Sequence, residues 1–314
     1  MTYTVLESIA TANPPTKGTQ QQAAAFMAQV TSLPLPIRNR IQTIYDRSGI
    51  DHRHTCIPDY MMDDPSRFEF FGRNWSLEPA PSTAERNSLY RRHVVPMAEV
   101  AARRALDDAA IAASEITHVV VASCTGFFAP GLDIELVKRL EMRPSTQRTL
   151  IGFMGCYAAF NAMRLAHAFC QSAVDARVLV VCAELCTLHF KVDDTLERAV
   201  VNSLFADGAA AAVFAARPAA EARGRLSYAG SQTMLDGDSM NDMTWNIGDT
   251  GFDMTLSARV PSVIAEHLPA FVDQLAGCVG GRERVGFWAI HPGGRAIVEK
   301  AQDVLGLQDN DVAD

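Results

Sequence analysis

Apolar residues along this chain fall into two kinds of run. One kind is continuous. "ITHVVVASCTG" (116–126), "ARVLVVCAE" (176–184) and "RVGFWAI" (284–290) string aliphatic and aromatic residues together and stop at polar or glycine-bearing turns. Such runs predict strands buried on both faces. "FADGAAAAVFAA" (205–216) predicts a tight glycine turn leading into a further strand of small residues. The other kind has helical spacing. Residues 19–47 predict helix interrupted at Pro34 and Pro36, where the ring removes a backbone donor. Ser82 and Glu85 have the S-x-x-E spacing of a capping box and predict the start of a long helix through "AEVAARRALDDAAI". "PGLDIELVKRL" (130–140) predicts the next helix, and another runs from Cys156 to about Ser172.

Helices alternating with continuous apolar strands predict an α/β fold with buried sheets. Around residues 216–226 the sequence turns polar and loses periodicity, which marks a boundary. Beyond it the pattern restarts: "VPSVIAEHLPAFVDQLAGC" as helix, "RVGFWAIHPGG" as strand and turn, "RAIVEKAQDVLG" as helix. The order echoes the first half, so the expected organisation is two similar halves, 1–218 and 219–314.

Composition narrows the function classes. The chain has 314 residues, 48% of them hydrophobic, enough for a sizeable core. Its net charge of -8 argues against a general nucleic-acid or membrane-surface binder. No apolar run is long enough to span a bilayer, and "MTYTVLESIA" lacks the features of a signal peptide, so a cytoplasmic location is expected. The seven cysteines (56, 124, 156, 170, 182, 186 and 278) suggest free thiols in a reducing compartment. Cys182 and Cys186 have no His/Cys pair at ligand spacing after them, so no metal site is expected.

Candidate chemistry centres on "IGFMGCYAAFNAMRLA" (151–166), where an apolar strand turns into a helix at Gly155-Cys156. A helix N-terminus stabilises a thiolate, and glycine allows the sharp turn ahead of it. The same placement suits a small buried core residue, since free cysteine is among the most buried types. A nucleophilic cysteine needs a base from elsewhere in the chain. Of eight histidines, His291 differs from the rest. It follows an apolar run and precedes Pro292-Gly293-Gly294.

Taken together, "GFMGCYAAFNAMRLA", "RVLVVCAELCTLHF", "LFADGAAAAVF" and "GFWAIHPGGRAIVEK" resemble the type III polyketide synthases, the chalcone-synthase-like family, in order and spacing and over essentially the whole chain. The resemblance implies a thiolase-like fold of two duplicated halves in five αβαβα layers, working as a homodimer. It implies an acyltransferase that condenses an acyl-CoA starter with malonyl-CoA, using coenzyme A thioesters as substrates and no cofactor. Cys156 would carry the acyl chain. His291, as imidazolium, would pair with the thiolate and stabilise the oxygen that gains charge. Phe205 would be one gate residue, and Met254 stands where a second gate phenylalanine is expected. Arg40 and Arg47, within the basic segment 38–54, would meet the coenzyme phosphates. Thr43 stands where a third cation is usual. Cys124, Thr125, Ala129 and His189 would shape the starter pocket. Trp245 adds bulk in a region where the plant enzymes are small.

Ala129 replaces a methionine of the plant enzymes and leaves room. The pattern is most like bacterial members that use long acyl starters to make alkylpyrones or alkylresorcinols. The family's catalytic asparagine, in a "GN-S" segment, has no counterpart before Asp314, and Asn310 lacks that motif's neighbours. The C-terminal end is therefore expected to be missing from this chain. Two other readings remain: a different thiolase-fold condensing enzyme, such as an initiating ketosynthase, against which "HPGG" speaks, and a truncated, non-catalytic binding or dimer partner.

Overall fold

A computed structural model describes residues 2–312 of the chain. Strand β1 (Thr2–Ala12) leads to the short β2 (Thr16–Thr19) and then to helix α1 (Gln20–Gln29), which Thr19 and Gln22 cap reciprocally. The helical stretch breaks ahead of Pro34, which caps α2 (Leu35–Arg38), but Pro36 is no break: it lies in the first turn of α2, where no intrahelical donor is needed. Helix α3 (Ile41–Asp46) follows, and β3 (His52–Thr55) pairs back onto β2. Helix α4 (Thr83–Ala109) starts at the predicted capping box. The Ser82 hydroxyl accepts from the Glu85 N–H, and the Glu85 carboxylate accepts from the Ser82 N–H.

The chain continues through β4 (His118–Ser123), α5 (Leu132–Arg139), β5 (Gln147–Gly152), α6 (Ala158–Ser172), β6 (Arg177–Leu185), α7 (Leu196–Leu204) and β7 (Asp207–Pro218). Five strands form one mixed sheet in the order β1-β7-β6-β4-β5. β4 runs parallel to β5 and β6, while β7 runs antiparallel to β6 and β1.

Alternate residues of each central strand enter two cores. Val119, Val121, Leu179 and Val181 face the layer that contains α4. Val120, Val178 and Val180 face α6. Both faces are covered, which is why these strands read as continuous apolar runs. Helix α4 meets the sheet through Ala98, Ala101, Ala102 and Ala105, all fully buried. These small side chains let helix and sheet approach closely. Burying each central valine stabilises the fold by roughly 1.5–3 kcal/mol before entropy is counted.

Past β7 come α8 (Ala219–Ala222), a hairpin of β8 (Met243–Gly248) and β9 (Gly251–Leu256), α9 (Val260–Ala276) and α10 (Arg295–Leu305). The polar segment after β7 is held down by Glu7 of β1, whose nearly buried carboxylate accepts from Arg217 Nε at 2.7 Å and also pairs with Arg225. The two predicted helices of this half form. The predicted strand at 284–290 does not. There the only pairing among the described residues is a single bridge between Trp288 and Val312. A strand satisfies its N–H and C=O groups on neighbouring strands, and no strand of the described residues lies alongside this run.

Candidate active site

Strand β5 ends at Gly152, and the next residues turn back sharply. Phe153 (φ 53°) and Gly155 (φ 60°) both adopt left-handed backbone conformations. The Gly155 conformation suits glycine best, since a Cβ is disfavoured there. A 3-10 turn, Gly155–Tyr157, then runs into α6. Cys156 thus sits at the strand-to-helix junction, exposed, within that turn and ahead of the first α-helical residue.

The expected thiolate stabilisation is not what the surroundings favour. Protein atoms packed about the thiol raise its pKa, Glu184 raises it further, and the residue's own N–H offsets only part of this. The turn aims few free helix N–H groups at the sulfur, whereas a carboxylate lies nearby.

Glu184, on β6, organises this floor. Its oxygens accept from the Cys124 N–H at 2.9 and 3.1 Å, from Cys124 Sγ at 3.2 Å, from Thr125 Oγ1 at 2.6 Å and from Ser123 Oγ at 3.3 Å. Tyr90 donates to Ser123 Oγ at 2.6 Å and extends the network to α4. Every contact brings a proton to the carboxylate, which suits an ionised acceptor. Burial acts in the opposite direction and raises the Glu184 pKa, with the hydrogen bonds lowering it in part. Cys124 is driven far toward the neutral thiol, first by burial and then by Glu184.

A wall of rings stands beside this floor. His189 is buried and stacks on Phe252 at 4.1 Å and 12°. Its Nε2–H donates to the Thr125 carbonyl at 2.7 Å, and its Nδ1 accepts from the Phe252 N–H at 3.0 Å. With both nitrogens engaged, one on a carbonyl and one on an amide, the ring is the neutral Nε2–H tautomer. Burial depresses its pKa to about 4. Trp245 lies edge-on to His189 and donates to the Cys124 carbonyl at 2.8 Å. Phe127 stacks on Phe153 at 5.0 Å, and both approach Phe252.

The hairpin that carries Phe252 and Trp245 is fixed to the start of α4 by Thr83, whose hydroxyl accepts from the Gly251 N–H at 2.8 Å and whose N–H donates to the Asp249 carbonyl at 2.8 Å. Arg86 is buried and donates to the carbonyls of Pro81 (2.9 Å), Phe190 (3.0 Å) and Leu188. Gly251 (φ 108°) lies so close that a Cβ there would come within 2.8 Å of the Arg86 side chain.

The structure brings Cys124, Thr125 and His189 together, with Trp245 beside them. Ala129 lies in the following loop and is solvent-exposed. Met254 is half-buried on β9, directly across the hairpin from Trp245. Phe205 is half-buried at the end of α7, and its carbonyl accepts from Arg53 Nη1 at 3.0 Å. The neighbouring Leu204 approaches Gly294 of the "HPGG" loop.

His291 sits in that loop, exposed and outside any strand. Among the described residues its ring makes no hydrogen bond, to Cys156 or to any other group. Burial lowers its pKa. The surroundings of Cys156 and of His291 thus each shift the group toward its neutral form.

Of the four arginines in segment 38–54, Arg38 caps the turn at Thr31 and Leu33, and Arg53 binds the carbonyls of Asn202 and Phe205. Arg40 and Arg47 are exposed and make no ion pair among the described residues. Sequence reasoning missed Glu184, Arg86 and Phe252. Glu184 had a signal: a carboxylate inside a continuous apolar strand is unusual unless hydrogen-bonded. Arg86 and Phe252 had none, because only tertiary packing encloses them.

Models of known families match nearly all of the chain. The N-terminal domain of chalcone and stilbene synthases matches residues 2–218, and the C-terminal domain matches residues 226–313. The chain is 33% identical over 311 residues to "Alpha-pyrone synthesis polyketide synthase-like Pks18" of Mycobacterium tuberculosis H37Rv, covering 98% of this chain and 76% of the relative. It is 30% identical over 315 residues to bisdemethoxycurcumin synthase of Oryza sativa subsp. japonica, covering 98% and 77%.

Among solved structures, PKS-I from the brown alga Ectocarpus siliculosus superposes with a TM-score of 0.93 at 34% identity, over 99% of this chain and 82% of that one. The 1,3,6,8-tetrahydroxynaphthalene synthase of Streptomyces coelicolor A3(2), a bacterial type III polyketide synthase, superposes with a TM-score of 0.84 at 25% identity, over 98% and 83%. Sequence, fold and family models agree: the chain belongs to the chalcone and stilbene synthase family, and it is a type III polyketide synthase, an acyltransferase-type enzyme on a thiolase-like α/β fold.

Proposed function

We propose that this synthase transfers a long-chain fatty acyl group from its coenzyme A thioester to Cys156, extends it with malonyl-CoA and releases an alkylpyrone or alkylresorcinol. The observation that carries the proposal is an exposed thiol on a tight turn beside a wall whose rings offer no free polar group. Phe127, Phe153 and Phe252 are apolar, and His189 has both nitrogens engaged. An acyl chain suits such a surface better than a polar starter. The relative named for alpha-pyrone synthesis supports the product class.

In this mechanism the neutral imidazole of His291 takes the Cys156 proton as sulfur attacks the starter carbonyl. The bond from that carbonyl to the coenzyme sulfur breaks, and the departing thiolate recovers the proton from the imidazolium. The neutral pair that both environments favour is the state from which such a transfer starts. Malonyl-CoA then loses CO2, and the electron pair of the broken C–C bond forms an enolate. His291 N–H donates a hydrogen bond to its oxygen. The enolate carbon attacks the acyl thioester, a C–C bond forms, and the bond to Cys156 sulfur breaks. Phe205 and Met254 border the passage and keep water from the malonyl group. Arg40 and Arg47 hold the coenzyme phosphates.

A homodimer belongs to the same proposal. β5 pairs only with β4 among the described residues, and Leu150, Phe153, Met154 and Phe160 near it are exposed. A second copy would cover that edge. Ala129, exposed on its own chain, would then leave space at the partner.

The test is turnover with malonyl-CoA and acyl-CoA starters of increasing length, with products identified by mass spectrometry. An apolar tunnel gains roughly 0.8 kcal/mol per methylene taken from water, so kcat/KM should rise steeply with length until the tunnel ends. Ala129→Phe should cut use of the longest starters most. A flat profile, or an optimum at an aromatic starter, overturns the long-chain proposal.

A further inference from the structure

We infer that Arg295, in the second half of the chain, completes the phosphate-binding surface begun by Arg40 and Arg47 in the first. The inference rests on the proposed use of coenzyme A thioesters. Arg295 opens α10, immediately after the loop that carries His291. Its aliphatic stem lies along Gly49, two residues beyond Arg47. A Cβ at Gly49 would sit 3.3 Å from Arg295 Cδ and 3.8 Å from its Cβ. Gly49 (φ 74°) has no side chain to interpose, so the two segments meet backbone to stem. Arg295 is thus the residue of the second half that touches the cationic turn of the first.

The charges around it leave the guanidinium available. Its side chain is 63% exposed, and its one ion pair among the described residues is with Glu299, one turn along the same helix, at 2.6 Å. An exposed pair of this kind is weak, so a phosphate with several oxygens competes well for the guanidinium fork. Arg40 and Arg47 are exposed and without ion pairs among the described residues. The carboxylate nearest to them in sequence, Asp46, accepts from Gln42 at 2.8 Å. Three arginines from two segments therefore border one surface, and that surface leads to the His291 loop. A ligand with phosphates at one end and a thioester at the other has the chemistry to span it.

The experiment titrates coenzyme A itself into the full chain by calorimetry, at low and at higher salt, with the wild type, Arg295→Ala, Arg295→Glu and Glu299→Ala. Arg47→Ala is the benchmark. Loss of one charge-assisted contact at an exposed site should weaken binding roughly fivefold in Arg295→Ala. The loss should be larger in Arg295→Glu, and the salt dependence should be shallower in both. Glu299→Ala, which frees the guanidinium, should bind as tightly as wild type or more tightly. Arg295→Ala affinity within twofold of wild type overturns the assignment. So does an equal loss in Glu299→Ala, which would make the pair merely structural. A wild type that binds no coenzyme A at all overturns the proposed substrate class, and this inference with it. A wild type that binds normally while Arg295→Ala matches it overturns only the role of Arg295.

Discussion

Two apolar runs of one kind meet different fates in this molecule. Residues 118–123 become β4, every residue of it buried, with β5 on one side and β6 on the other. Residues 284–290 stay irregular, largely exposed, with one bridge at Trp288. Hydrophobicity alone does not make a strand; a strand exists where neighbours accept its backbone groups. The consequence reaches the chemistry. Cys156 rises from a frame fixed by β5, β6 and the Glu184 network, whereas His291 rides on a loop whose ring has no partner among the described residues. The first half sets geometry, and in the proposed mechanism the second supplies a group that must be brought to it.

The sharpest test of that contrast compares the two exposed cysteines, one in each half. Cys156→Ala should reduce polyketide formation by roughly 10³-fold or more, because in the proposed mechanism Cys156 alone carries the acyl chain. Cys278→Ala should leave it within about twofold. Equal losses in steady-state turnover would dissolve the distinction.

Next is the buried cation beneath the hairpin. Arg86→Met removes the donor shared by the carbonyls of Pro81, Leu188 and Phe190. It should destabilise the protein by about 3 kcal/mol, read as a shift in urea midpoint. A change below the error of the measurement would mean that those carbonyls find other donors.

A third test uses pH. His189 is held neutral, with a folded pKa of about 4 against an ordinary value near 6.5. A depressed histidine pKa means that the unfolded chain binds the proton first. Stability is therefore full above about pH 6.5 and falls as pH drops toward 4, by at most about 3 kcal/mol from this residue. His189→Gln should flatten that slope in denaturation curves taken across the window. An unchanged slope would assign the acid sensitivity to other groups.

The smallest expected effect is electrostatic. Glu184→Gln removes a negative charge that opposes thiolate formation. The pH profile of Cys156 alkylation should move toward lower pH, with several-fold faster labelling near neutrality. A profile that stays in place would leave packing around the thiol as the sole cause of its raised pKa.

Much of the site was legible before any coordinates. Gly155-Cys156 does lie at a strand-to-helix junction, the Ser82/Glu85 box does begin α4, and Cys124, Thr125 and His189 do meet. What escaped was set by contacts far apart in the chain. Packing around the Cys156 thiol, and after it the nearby Glu184, raise its pKa against the pull expected of a helix start. Arg38 and Arg53, which lie in the same basic segment as Arg40 and Arg47, are occupied by backbone carbonyls. Phe252 and Arg86 read as ordinary residues and prove to be buried, one within the wall and one beneath the hairpin.

The sequence by itself determined the α/β alternation, the break at Pro34, the helix caps and the glycine turn before Cys156. These depend on backbone sterics and on side chains a few residues apart. Only the tertiary structure decided which apolar run became a strand, which tautomer His189 holds, and which arginines remain free. Strand pairing, burial and charge are properties of what lies alongside a residue in space, and along the chain such neighbours can stand 216 positions apart, as Thr2 and Pro218 do.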